Sequence, residues 1–352
     1  MPVPGGHTLG TMGIEISQVD TATAPETLLR ELADYYVVVM AEDMPGDPPT
    51  PFAMQLAEWR NLLPHLPVTR WILRQDGEIL AAAVAMVETE HNLENGFGRI
   101  HVHPDHRGRG FARQIASPMF DHLESLGRVR FDTWAKKDEP VEDLLVSLGL
   151  KAVYGEKRSR LKVSDLDMDL MGRWIGRAQE RASDYELQYY RSPLPDHLVD
   201  KFCDLTYIMN TAPREDYEVE DEVLTPKMWR DTEKSVADSQ CQLHNLIAVH
   251  EPSGDFAGFT QIKTQDLQPD LAWQWDTGVH PEHRNRGLGR WLKADMIRRI
   301  VEEFPEVSRV DTFNAGSNEP MLNINVEMGF APVHISNTWQ GDLATARERF
   351  RA

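Results

Sequence analysis

Alternation of apolar and polar residues is the first regular feature along the chain. "IEISQV" (14–19) alternates with period two and predicts an opening strand, and Pro25 to Met40 carries apolar residues at helical spacing. A second helix is expected from Pro51 to Leu63. Two strands follow, near 69–75 and 79–89, joined by a tight turn at Asp76-Gly77. "GFGRIHV" (96–102) reads as a fourth strand. Beyond it the pattern predicts a helix from Phe111 to Leu126, a strand in "RVRFDTW" (128–134), a helix ending at "SLGL" (147–150) and a late strand near 151–162.

The same order then returns. "ELQYY" (186–190) opens a second series, followed by helices near 194–210 and 225–238. Strands near 243–250 and 255–264 are joined across "PSGD", and "LAWQWDTGV" (271–279) is the next strand. A helix from Leu288 to Glu303, a strand in "VSRVDTF" (307–313), a helix ending at "EMGF" (327–330) and a strand near 331–340 complete it. Where the fourth strand of each series ends, the residues themselves repeat. "VHPDHRGRGFAR" begins at Val102 and "VHPEHRNRGLGR" at Val279, with eight of twelve positions identical. A repeat this long means two whole domains, since solenoid units run only about 20–50 residues. We place the N-terminal domain at 1–164, a connecting helix at 165–185 and the C-terminal domain at 186–352. Asp167 is a suitable N-cap for that helix. Leu170, Trp174, Ile175 and Ala178 share a face that would pack across the domain junction.

Composition narrows the function. The chain has 352 residues, 41% apolar and 26% charged, which suits two soluble globular domains. A net charge of −19 argues against non-specific nucleic-acid binding, which needs a basic surface. The two cysteines, Cys203 and Cys241, lack metal-type spacing and exclude a disulfide framework, so a reducing, cytoplasmic setting is expected. "MPVPGGHTLG" has neither the basic nor the apolar region of a leader. The longest apolar run, "ILAAAVAMV", is too short to span a bilayer, and no membrane partner is expected.

The repeated dozen carries the chemistry. Small residues between a strand and a helix let backbone approach a ligand closely, and the free N–H groups of a helix N-terminus point at it. Arginines surround the same point, and the physical product is a pyrophosphate cradle. A plain strand-to-helix turn with surface arginines is the competing reading. A Walker A loop would need a Gly-Lys-Ser/Thr ending, and a dinucleotide fingerprint would follow a first strand rather than a fourth. A zinc site at His101, His103 and His106 finds no support in the second copy, where Gly278 replaces His101, and no metal is expected.

With this order of elements around "V-x-P-x-x-R-x-x-G-x-G/A", each half resembles the GNAT acyltransferase superfamily, and the whole resembles its tandem members, such as mycothiol synthase. The resemblance implies an α/β (α+β) fold of two tandem GNAT domains, each a mixed, mostly antiparallel sheet flanked by helices. It implies acetyl-CoA, or another acyl-CoA, as co-substrate, with its pyrophosphate at the dozen and its pantetheine along the fourth strand. The residues so implied are Thr277, Val279, Arg284, Asn285, Arg286, Gly287, Leu288, Gly289, Arg290 and Asn318. In the first half they are Val102, Arg107, Gly108, Arg109, Gly110 and Ala112.

Departures from the family pattern set the two halves apart. Asn318 matches an asparagine that opens the helix after strand five, but the tyrosine position that can protonate the thiolate holds Asn325. In the first half the corresponding residues are Asp138 and Leu145. The strand-four glutamate, about eleven residues before the motif arginine, is replaced by Trp273 and Gly96. Asp276 is then the nearest candidate base, with a structural role as the competing reading, and the first half is expected to be degenerate. The segment 210–229 carries Glu215, Asp216, Tyr217, Glu218, Glu220, Asp221 and Glu222. In this fold it would line the acceptor pocket, with Tyr217, Glu218, Glu220 and Trp273 meeting a small, cationic amine; a solvated loop and a core tryptophan are the alternatives. An N-acetyltransferase working in the second half is the leading reading. A non-catalytic acyl-CoA-binding protein and an inert scaffold are the others. Two joined copies supply an internal pseudo-dimer, so a monomer is expected.

Overall fold

Residues 13–351 are described by a computed structural model; the N-terminal stretch read as lacking a leader lies outside the described residues. Contacts divide the chain into two units. The first contains the chain up to Val153, residues 217–219 and everything from Ser336 onward; the second contains 154–216 and 220–335.

The first unit contains β1 (Ile14–Val19), α1 (Glu26–Asp43), α2 (Phe52–Arg60), β2 (Val68–Gln75), β3 (Glu78–Met86), β4 (Asn95–Val102), α3 (Phe111–Ser125), β5 (Arg130–Lys136) and α4 (Val141–Ser147). β6 (Lys151–Lys162) begins in it and continues in the second unit. The second unit adds α5 (Met168–Arg181), β7 (Tyr185–Arg191), α6 (Asp196–Thr206), α7 (Pro226–Asp238), β8 (Cys241–His250), β9 (Asp255–Gln265), β10 (Leu271–Val279), α8 (Leu288–Glu303), β11 (Arg309–Ala315) and α9 (Glu319–Met328). β12 (Ala331–Asp342) leaves it for the first unit, where α10 (Leu343–Arg351) ends the described chain.

In the first unit β1 to β4 run antiparallel in sequence, β4 pairs parallel with β5, and β5 pairs antiparallel with β12. The second unit repeats the plan with β7, β8, β9, β10 and β11, closed by β6. Strand alternation sends successive side chains to opposite faces. Thus Leu73, Ala81 and Ala83 meet α3 through Ile115, Met119 and Leu123, while Ile72 and Ala82 meet Leu29, Leu32 and Trp59 from α1 and α2. In the second unit Leu246, Ala248, Ile262 and Ala272 lie under α8 and α5, and Phe259 meets Phe202 of α6 on the other face.

Two expectations are corrected here. Each half was expected to close its own sheet, with a boundary near 164. Instead β11 takes residues 156–162 of β6 and β5 takes residues 336–342 of β12, so the closing strands are exchanged. Side chains match this register: Asp311 of β11 is buried between Arg158 and Arg160 of β6, at 3.0 and 2.7 Å from their Nε atoms. The connecting helix is α5, capped by Asp167 as expected. However, Met171, Trp174, Ile175 and Ala178 pack into the second unit's own core. α10 was not anticipated; its Leu343 and Ala346 complete the first unit's core.

Candidate active site

The site begins where a parallel pair of strands separates. β10 pairs with β11 only from Leu271 to Gln274, opposite Arg309 to Thr312. On its other edge the register with β9 shifts between Gln274 and Thr277, so Trp275 and Asp276 together face one residue of β9. A bulge of this kind bends a strand and re-aims its side chains. The strands thus open a notch beyond Gln274, and Asp276 lies on β10 within that stretch.

Burial, and then the nearby Glu222 carboxylate, push the Asp276 carboxyl up to about 6. The residue is nonetheless solvent-exposed, so neighbouring atoms crowd the carboxyl without closing it off. A group that is accessible from one direction and surrounded in the others behaves this way, and a carboxylate near neutrality is poised to take up a proton. Glu222 is held by Asn210, whose Oδ1 accepts from its N–H at 3.0 Å and whose Nδ2 donates to its carbonyl at 2.8 Å. Trp273, half-buried, stacks on Phe313 with ring centroids 5.7 Å apart, and Phe313 is 44% exposed.

At the far end of β10 the chain makes one short helical turn and enters α8. Asn285 and Gly287 have positive φ, 65° and 89°, and no side chain caps the helix at Gly287. The N–H groups of Leu288, Gly289 and Arg290 therefore open the helix without a side-chain acceptor. A Cβ on Gly287 would touch only Ala178 at 3.9 Å, so the backbone angle, not crowding, requires glycine there. Gly289 would accept a Cβ in ordinary contact, as Ala112 does at the same place in α3. This uncapped, glycine-bent helix start fits a diphosphate.

The arginines of the second dozen are engaged with protein. Arg284 braces the loop through the Val279 carbonyl and Thr211 Oγ1, Arg286 lies 3.6 Å from Asp184, and Arg290 pairs with Glu327 at 2.6 Å. Leu288 is core, and the Thr277 hydroxyl bonds Thr260 inside the unit. Asn318 caps α9 through the Met321 N–H. Asn325 is 1% exposed and donates to Asn314 at 2.6 Å.

The first unit repeats the cradle but not the bulge. Gly108 and Gly110 have φ of 75° and 81°, Arg107 pairs with Glu42, Arg109 reaches the Asp105 carbonyl, and Val102 pairs with Ala81. β4 separates from β5 after Phe97, yet its register with β3 is unbroken. Arg99 alone stands where Trp275 and Asp276 stand in β10, and it pairs with Asp43 at 2.6 Å. His103 caps the short turn before Arg107, and desolvation, with Arg99 and Arg107 nearby, pushes the half-buried His101 down to about 3. The counterpart of Trp273 is therefore Phe97 rather than Gly96, because the bulge shifts the count by one.

The acceptor loop is corrected most. Tyr217 and Glu218 belong to the first unit, where the Tyr217 hydroxyl donates to Asp132 Oδ2 at 3.1 Å and Glu218 pairs with Arg130 at 3.0 Å. Burial pushes Asp132 up to about 6. Glu220 is exposed in the second unit, where Asp221 pairs with Arg214. The sequence signals missed were Asn210 and Thr211, polar residues directly after the first helix, and the extra residue in β10. Among the described residues no cluster of acidic, histidine or cysteine side chains is arranged to hold a metal ion, and no helix is long and apolar enough to cross a membrane.

Residues 204–330 match the acetyltransferase (GNAT) family, and residues 70–160 match the FR47-like protein family. The fold is similar to a tandem GNAT protein from the clavulanic acid biosynthesis pathway, with TM-score 0.76 and 19% identity over 94% of this chain and 98% of that one. It is also similar to a GCN5-related N-acetyltransferase from Sphaerobacter thermophilus, with TM-score 0.68 and 15% identity over 93% and 96%. A putative acetyltransferase from Pyrococcus horikoshii follows at TM-score 0.56 and 8% identity, over 96% and 92%. No curated protein sequence matches the chain.

Proposed function

We propose that the chain is a tandem GNAT protein, because residues 204–330 match the acetyltransferase (GNAT) family and the fold is similar to a tandem GNAT protein, and that its second unit is an N-acyltransferase. It moves an acetyl group from acetyl-CoA to a primary amine of a small molecule, by direct attack in a ternary complex. The observation that carries this reading is Asp276, a carboxylate near neutrality placed by a bulge in the stretch where β10 has parted from β11 and leads to an uncapped helix. The co-substrate supplies an acyl group already activated as a thioester.

The residues divide the remaining work. The N–H groups at the start of α8, with Arg286 and Arg290, would hold the diphosphate once Asp184 and Glu327 release those side chains. Arg284 shapes the loop rather than binding, since both its contacts are to protein. Asp276, ionised at neutral pH, accepts the proton that the ammonium of the acceptor must lose before it can attack. Trp273 and Phe313 offer a flat apolar wall, while Glu220 and Glu222 favour a cationic acceptor. The buried Asn325 leaves no side chain assigned as the thiolate's proton donor, so water or the released proton serves.

Thiol release from acetyl-CoA, measured against a panel of small primary amines and repeated with longer acyl-CoAs, tests the proposal. Turnover with a cationic amine is the expected result. CoA binding without turnover on any amine would favour an acyl-CoA-binding protein instead. Light scattering should show a monomer at micromolar concentration.

A further inference from the structure

In the first unit a piece of chain lies against the paired end of β4 and β5 and the adjoining part of β12. Residues 217–219 are held there by contacts that read both backbone and side chains. Asp132, 2% exposed, accepts from the Tyr217 hydroxyl and from Asn95 Nδ2, both at 3.1 Å. Asn95 Nδ2 also donates to the Glu218 carbonyl at 3.0 Å. Gln340 Oε1 accepts from the Glu218 N–H at 3.1 Å, and Gln340 Nε2 donates to the Glu218 carbonyl at 3.2 Å. Arg130 takes the Glu218 carboxylate at 3.0 Å.

We infer that this seat is a peptide-binding site, occupied in cis by Tyr217–Val219, whose ligand class is an extended segment with a tyrosine followed by an acidic residue. A single side-chain amide, Gln340, pairs with both the N–H and the C=O of Glu218, which is how a neighbouring strand reads a peptide unit. Phenol, peptide group and carboxylate each meet partners suited to them: Asn95 from β4, Asp132 and Arg130 from β5, and Gln340 from β12. A cavity of about 90 Å³ remains beside the tyrosine, lined by Leu66, Met86, Phe97, Asn95, Asp132 and Tyr217. Asp132 Oδ1 is buried there without a donor.

The second unit shows why the seat is particular to the first. The residue matching Asp132 is Asp311, and its oxygens are taken by Arg158 and Arg160, which leaves no acceptor for a phenol. Emptied of its segment, the first seat would leave Asp132, Asn95 and Gln340 short of partners in a buried setting, which is costly. The seat therefore favours being filled, and the first unit acts as a receptor for a short peptide rather than as a second transferase.

The test uses the full chain with Tyr217→Gly and Glu218→Gly together, and the acetylated, amidated peptide Asp-Tyr-Glu-Val-Glu as probe. Calorimetry should show binding to the double variant and none to the parent. Peptides with Phe for Tyr, or Gln for Glu, should bind at least ~10-fold more weakly, the loss of one charge-assisted hydrogen bond. A folded double variant that ignores the peptide, or that binds the Phe peptide equally well, would overturn the inference. Should that variant fail to fold, amide exchange in the parent decides: the Glu218 N–H should be protected and should exchange faster in Tyr217→Phe. An unprotected Glu218 N–H in the parent overturns it. None of these readouts depends on acyl transfer in the second unit.

Discussion

β4 and β10 hold the same place in the two units and differ in length by a single residue. Both pair parallel with the next strand over their first few residues and then part from it, and both end at a glycine-bent helix start. In β4 the register with β3 continues unbroken, and Arg99 stands at the place of the bulge, paired with Asp43 and lying 3.5 Å from the Trp134 ring. In β10 one additional residue forces a bulge and presents Asp276 instead. A cation tied to a carboxylate cannot accept a proton, whereas a partly desolvated carboxylate can. In the function proposed, the cradle that both units share addresses binding, and the inserted residue separates a reactive notch from an inert one.

The largest expected effect breaks the binding half of this comparison. Gly287→Val forces a β-branched residue to a φ of 89° and should weaken CoA by ~100-fold in calorimetry, abolishing turnover. Gly110→Val, strained equally at 81°, should leave turnover within about 2-fold if the first unit does no chemistry. Loss of activity in Gly110→Val alone would transfer the chemistry to the first unit.

Removing the bulge comes next. Deletion of Trp275 should restore an unbroken register like that of β4, lowering the rate by ~10²–10³-fold while CoA affinity changes little. Equal losses in rate and CoA affinity would mean that the deletion had damaged the unit as a whole.

The third contrast is in the helices after the cradles, where Lys293 of α8 stands at the place of Ala116 in α3. Lys293 is 1% exposed, and burial pushes its ammonium down to about 7, with the Phe330 ring 5.6 Å away. Its folded value lies below its unfolded one. The stability it allows is therefore complete above the ordinary lysine value and is lost as pH falls toward 7. Lys293→Met should raise the melting temperature by roughly 2–8 °C at pH 7, with the gain shrinking toward pH 10.5. A gain independent of pH would point to packing alone.

The smallest effect sharpens the electrostatics. Glu222→Gln removes the lesser of the two causes holding Asp276 high, so the acid limb of the rate profile should move down by under about one pH unit. An upward move would contradict the assigned interaction.

Much of the fold was legible because alternation and helical spacing are local. α8 begins and ends where the apolar pattern does, and the Asp76-Gly77 turn has the two positive φ values its residues favour. The exchange of β6 and β12 was not legible, since both strands alternate alike and only the match of Arg158 and Arg160 to Asp311 distinguishes them. The cradle could be read from its glycines. The bulge could not, because an inserted residue in a strand leaves no mark until its partner strand is known, and so Trp273 was set against Gly96 rather than Phe97. Tyr217 and Glu218 were misplaced for a related reason: a charge run shows what a loop carries and nothing of where each charge is received.

The most direct measurement is the pH dependence of kcat/KM for acetyl transfer to a responsive amine, in the parent and in Asp276→Asn. The account predicts an acid limb near pH 6 in the parent, matching the raised Asp276 carboxyl. Asp276→Asn should lose ~10²-fold or more in rate at pH 7, and that limb should disappear. An Asp276→Asn enzyme of near-parental rate, or one that keeps the limb near 6, would contradict the assignment of Asp276 as the base.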